Sequence, residues 1–194
     1  MKGTRVFPEW FIELKEEARK IYESAAPPKN KYINLSFLKP EEFDRNVSGE
    51  GEFRAHFDEG EISGYAIFIN NHLVEWKSLH DGVSVYPLRD ALDNETFRRY
   101  FSRAVHPSMD KFTAYHYASL TDGLFIYVHP DARVEKPFHV LFMHTENRAS
   151  MHPHILIVAD RFSRFAYVEE AFSSREDITG FFNPVVELFA LDES

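Results

Sequence analysis

The 194-residue chain is 44% hydrophobic and 15% aromatic, with nineteen Phe, enough to bury one good core or two small ones without a covalent staple. A formal charge of -9, with Lys and Arg spread along the chain, excludes a nucleic-acid or anionic-membrane surface, since both need a compensating basic patch. The absence of cysteine excludes disulfides, thiolate chemistry and cysteine-ligated clusters within the chain. No apolar run approaches the ~20 residues of a membrane span, and MKGTRVFPEW lacks a signal-peptide core, so a cytoplasmic protein is expected.

From Pro8 to Ala25, Trp10, Phe11, Leu14, Ala18, Ile21 and Tyr22 recur at spacings of three and four, which predicts an amphipathic helix stopped by Pro27-Pro28. KYINLSFLKPEEF reads as an extended linker followed by one helical turn. Alternation then takes over. Phe53, Ala55 and Phe57 predict a strand, and Tyr65 to Ile69 and His72 to Trp76 predict a hairpin about Asn70-Asn71, because Asn tolerates positive φ. A short strand at Val83 to Tyr86 precedes two helices, Asn94 to Val105 and Asp110 to Leu120.

Beyond Asp122 the pattern is strand throughout, expected at 124–128, 132–135, 138–144, 153–159, 164–172 and 184–190. Ile126-Tyr127-Val128 and Val134-Glu135 recur about thirty positions on as Leu156-Ile157-Val158 and Val168-Glu169, a faint repeat that suits stacked strand-turn-strand units. The fold class is mainly β with an α+β N-terminal region. Helices and a hairpin (1–121) lead into the first turns of a β-helix (122–194), with a β-sandwich or barrel as the alternative on the same periodicities.

In wording as well as rhythm, DGLFIYVHPDARVEKPFHVLF resembles the SufB/SufD family of iron-sulfur cluster assembly proteins. PPKNKYINLSFL is similar to that family's N-terminal extended segment, YAIFINNHLVEWKSL to its hairpin, GVSVYPLRDAL to the strand and helix that follow, and MHPHILIVADRFSRFAYVEEAFSS to a further β-helix turn. Tyr115-His116-Tyr117-Ala118 departs from the family's Leu-Asn-Ala. Members continue with more turns and a C-terminal domain that docks on the SufC ATPase, so the resemblance covers the N-terminal half of the family's length. It implies a non-catalytic scaffold subunit acting with SufB-like and SufC-like proteins, holding no cofactor itself. An iron-sulfur cluster or flavin would sit only in the assembled complex. The lack of cysteine favours the SufD side, since thiolates are what accept sulfur and ligate iron. A β-helix cut after a few turns exposes apolar edges, so homo- or hetero-oligomerisation is expected.

Catalytic residues are not found: there is no phosphate loop, no G-x-S-x-G and no Ser-His-Asp grouping. His152 and His154 are the candidate metal ligands, two apart and so on one face of a strand, with Glu169 or Glu170 as the nearest third ligand. They motivate the competing class, a cupin-like metal-dependent β-barrel enzyme, while a stand-alone protein-interaction module is a third reading. His129, His139 and His144 could stack as a ladder across turns, and Glu135 with Glu169-Glu170 could serve as paired acids, though adjacent strand residues face opposite ways. Surface histidines and a solvated acidic edge are the plainer explanations.

Overall fold

A computed structural model describes residues 7–49 and 57–194. The strand expected at Phe53 and Ala55 lies outside those residues. Helix α1 (Glu9–Ser24) buries Phe11 and Ala18, two turns apart on one face, against α4 (Lys111–Ser119). A single 3-10 turn, Pro40–Glu42, follows the linker. The hairpin β1 (Gly64–Ile69) and β2 (His72–Ser78) forms as the alternation requires, with Asn70 at positive φ. Then come β3 (Val83–Pro87), the short α2 (Leu88–Ala91) and α3 (Glu95–Tyr100). Asn94 caps α3 by accepting from Phe97 N at 3.0 Å, and Asp110 caps α4 by accepting from Phe112 N and Thr113 N at 2.7 and 3.0 Å.

Seven strands complete the described chain: β4 (Gly123–Val128), β5 (Phe138–His144), β6 (Ser150–Met151), β7 (His154–Ala159), β8 (Tyr167–Ser173), β9 (Phe181–Phe182) and β10 (Val185–Ala190). They form two four-stranded sheets, β2-β1-β5-β8 and β10-β7-β4-β3, and a two-stranded one, β6-β9. From β4 onward the chain visits the three sheets in a repeating order, and each strand pairs in parallel with its counterpart one circuit later. Gly123 faces His154 and His154 faces Val185, a spacing of 31 residues each time, while Phe138 faces Tyr167 and Ser150 faces Phe181. Neither four-stranded sheet closes on itself, so a barrel is not formed by the described residues.

The sheets cross the boundary expected at residue 122. β1 pairs with β5 in parallel and β3 pairs with β4 antiparallel, so strands on both sides share one core. That core lies between the sheets and contains Phe68, Leu124, Ile126, Phe138, Val140, Phe142, Ile155 and Ile157. The opposite face of the β3-β4-β7-β10 sheet, with Phe125, Leu156 and Val158, packs against the helices through Phe11, Leu88, Phe97, Phe101 and Tyr117. Period-two alternation of apolar residues on both faces explains why β4 and β7 read as continuous apolar runs.

Three expectations are corrected. Residues 132–135 make only an isolated bridge, Arg133 to Arg164, because Ala132 and Val134 sit at a corner. Val134-Glu135 therefore does not overlie Val168-Glu169, which pair instead with His139 and Val140. The helix expected to run to Val105 ends at Tyr100, and Ser102 turns to φ 62. Among the described residues, no helix is long and apolar enough to cross a membrane.

Candidate functional site

Between the helical layer and the β7-β10 edge lies a closed chain of polar groups. His154 opens β7 and points, like Leu156 and Val158, toward the helices. Its Nε2 lies 3.1 Å from Glu187 Oε2, and its Nδ1 lies 3.1 Å from His116 Nε2 on α4. His116 Nδ1 lies 2.9 Å from the carbonyl of Asn183. Glu187, on β10, also accepts from the backbone N–H groups of Ser102 (2.7 Å), Ala104 (2.7 Å) and Val105 (3.0 Å). Those three amides are free because α3 stops at Tyr100, so the early helix end and the buried carboxylate are one feature. Tyr117 reinforces it by donating its hydroxyl to the Val105 carbonyl. His116, His154 and Glu187 are all fully buried.

Hydrogen-bond polarity fixes the protons. The Asn183 carbonyl can only accept, so His116 donates from Nδ1, and because burial keeps its ring neutral its Nε2 is an acceptor. His154 must then donate from Nδ1, and its remaining contact with Glu187 needs one further proton between them. The pair is thus neutral overall, as imidazolium and carboxylate or as their neutral forms, which is how a charge survives in a dry interior. Burial drives the His116 pKa well down, aided by the neighbouring His154. Burial likewise lowers His154, with the bond to Glu187 pulling the other way. For Glu187 burial opposes ionisation, but the bond and charge of His154 and the amides of Val105 and Ser102 outweigh it, leaving the carboxyl below its ordinary value.

Of the candidate metal ligands, only His154 joins this chain. His152 is equally buried, but it bonds Ser150 Oγ through Nε2, leaves Nδ1 without a partner and packs edge-on against Tyr115 at 5.1 Å. Burial, with Arg45 and Lys15 nearby, lowers the His152 pKa to about 3. Glu169 and Glu170 lie on β8, in the other four-stranded sheet, so neither serves as a third ligand. Among the described residues, no group of three or more His, Asp or Glu is placed to hold a metal ion. A run of single bonds, each between two groups, ties layers together and orients rings, whereas a metal site needs donors converging on one point.

The histidine ladder does not form. His129 bonds Ser84 Oγ at 2.8 Å beside the β3-β4 pair, His139 lies on β5 near Phe57, and His144 is packed over Gly180 and Phe182. The acids Glu135 and Glu169 do not pair either. Glu169 lies on the same sheet face as Val140 and accepts from Tyr167 Oη at 2.6 Å, but both Glu169 and Glu170 are exposed on the edge strand β8.

Sequence reasoning missed His116, Asn183 and Glu187. The signal for Glu187 was present: one carboxylate inside the apolar run VVELFA, on the same face as Val185. His116 was visible only as a departure from the family's Leu-Asn-Ala. The Asn70-Asn71 turn is more than a turn, since Asn70 bonds Ser48 O and Thr145 while Asn71 bonds Thr121 and His152 N. Asp122, the corner acid, accepts from Leu73 N and Gly123 N at 2.9 Å each, and burial raises its pKa.

Residues 52–140 match the SufBD protein N-terminal region, as known from its family. Those residues are similar to a SufBD N-terminal region. The chain is 30% identical over 105 residues to the iron-sulfur cluster assembly SufBD family protein of Pyrococcus horikoshii, covering 53% of this chain and 23% of that protein. It is 30% identical over 102 residues to the iron-sulfur cluster assembly protein SufD of Bacillus subtilis, covering 52% and 23%. A SufBD family protein of Staphylococcus haemolyticus aligns over 93% of this chain and 44% of its own length, at 23% identity. The chain thus spans less than half the length of the curated relatives it matches. The SufBD segment holds β1 to β4, α2 to α4 and the first residues of β5, and so includes His116. His152, His154, Asn183 and Glu187 follow it.

Proposed function

We propose that this chain is a non-catalytic scaffold in iron-sulfur cluster assembly, on the SufD side of the family, acting in the cytoplasm beside a SufB-like protein and a SufC-like ATPase. The observation that carries the reading is the matched segment continuing into a parallel stack: β7 pairs with β4 of that segment at a 31-residue spacing, and β10 pairs with β7 at the same spacing. Such a stack is the opening of a β-helix in this reading. Each circuit rests on its neighbours, so the whole resists bending and suits holding partner surfaces at fixed separation.

The polar chain supports a positional role. His116, His154 and Glu187 are sealed from solvent, so they cannot meet a substrate; what they do is lock α4 and the Ser102–Val105 segment onto β7 and β10. The chain holds no cofactor of its own in this account, and any cluster or flavin belongs to the complex. Homo- or hetero-oligomerisation belongs to the same reading. Co-expression with the SufB-like and SufC-like proteins of the same organism tests the reading. A stable complex at fixed stoichiometry is expected, and failure of the purified chain to bind either protein sinks it.

A further inference from the structure

The linker between α1 and the Pro40–Glu42 turn is a pinned loop. Its start is held by Lys111 Nζ, which donates to Tyr22 O at 2.9 Å and Ala25 O at 3.1 Å. Its end is held at the same patch by the Tyr22 hydroxyl, which donates to the Glu41 carboxylate, and by Arg148, which bonds Glu42 O at 2.7 Å. Inside the loop, Asn30 Oδ1 accepts from Tyr32 N and Ile33 N, and Asn34 Oδ1 accepts from Ser36 N and Oγ. These side-chain turns fix the backbone locally while the loop stands away from both cores. Compact loops with joined ends are frequently functional.

What this loop presents is unusual for a surface. Tyr32 is 85% exposed, Phe37 71% and Ile33 56%, within six residues of one another. Between Ala25 and Pro40 there are three cations, Lys29, Lys31 and Lys39, and no acid, in a chain of net charge -9. Large apolar groups held in water by a fixed loop cost free energy that a monomer could avoid with polar residues, and clustered exposed apolar groups mark interaction sites.

We propose that residues 27–39 dock this chain onto its assembly partner, with Tyr32, Ile33 and Phe37 entering an apolar groove on a protein whose rim is acidic. The proposal rests on the function proposed above and names the surface that serves it. Charge complementarity sets the sign of the rim: Lys29 and Lys31, with Lys39 shared with Glu42 at 3.6 Å, attract carboxylates, raise the encounter rate and reject a basic surface. Aromatic anchors entering a desolvated pocket supply the affinity. A protein fits better than a lipid surface, because the loop's backbone is irregular, with carbonyl and amide groups that a hydrocarbon layer cannot satisfy.

The test measures binding of the full chain to the purified SufB-like and SufC-like proteins, beside a Tyr32→Ser, Phe37→Ser double variant and a Lys29→Glu, Lys31→Glu, Lys39→Glu triple variant. Both sets of positions are solvent-facing, so unfolding curves matching the parent check that the fold is kept. The double variant should bind at least tenfold more weakly, and the triple variant should lose both association rate and salt dependence. Parent binding that survives both variants unchanged overturns this proposal and leaves the scaffold reading standing. Absence of binding by the parent overturns both. Co-sedimentation of the parent with phosphatidylserine vesicles, lost in the double variant and without any protein complex, overturns it in favour of a lipid surface.

Discussion

Replacing Glu187 by Gln changes one oxygen for an amide and should nevertheless be costly. Glu187 Oε1 accepts from Ala104 N and Val105 N, and Oε2 accepts from Ser102 N and shares a proton with His154 Nε2. A Gln must place its NH2 at one of these positions. At Oε1 it would face two backbone donors, so the cheaper choice is Oε2, where it meets the Ser102 N–H and offers a proton to His154. That choice orphans one buried amide, at about 1–3 kcal/mol, and weakens charge-assisted bonds worth about 1.5–3 kcal/mol each. The expected loss is about 3 kcal/mol, a large share of the ~5–15 kcal/mol that holds a domain of this size. Glu187→Ala should cost more, because it orphans all three amides and leaves His154 Nε2 without its partner. Urea unfolding at pH 7 measures both. A Gln variant within about 0.5 kcal/mol of the parent would refute the view that this carboxylate anchors the Ser102–Val105 segment.

Four further outcomes follow from the same geometry. His152 has a folded pKa of about 3 against an ordinary 6.5, so the unfolded chain takes up its proton first; stability from this group is full above pH 6.5 and falls toward pH 3 at about 1.4 kcal/mol per pH unit. His152→Asn should flatten that part of the stability-pH curve, and parallel curves would contradict it. In Gly123→Ala the new Cβ would lie 2.3 Å from the His154 carbonyl oxygen, forcing β4 from β7 at a cost of about 3 kcal/mol, read by thermal unfolding. Asp110→Ala removes the α4 cap and should cost about 1 kcal/mol by the same assay. In the histidine 15N spectrum, His116 should hold its proton on Nδ1 at neutral pH; an Nε2–H tautomer would break the proton assignment of the whole chain.

The hairpin, α1, α4 and most strand bounds after residue 122 were readable because each is governed by local periodicity and by Asn, Gly and Pro at turns. β5 was anticipated at 138–144 to the residue. Stacking was harder to see, since the 31-residue register joins Phe125 to Leu156 while the visible echo aligned Ile126 with Leu156. The two-residue strands β6 and β9 carry no pattern of their own and exist through pairing with each other. Helix α3 was overrun at its C-terminus because its end is decided by Glu187, more than eighty residues away. The candidate site was half legible for the same reason. His154 was seen from its spacing to His152, but its partners come from α4 and β10, and no short-range rule links positions 116, 154 and 187.

The central claim is that this chain works by holding partners. The most direct measurement is the binding of the purified 194-residue chain to the SufB-like and SufC-like proteins of its own organism, by analytical ultracentrifugation with concentration series. A defined complex, weakened at least tenfold by Tyr32→Ser with Phe37→Ser, is the predicted result. A chain that sediments independently of both proteins at every concentration would contradict the account.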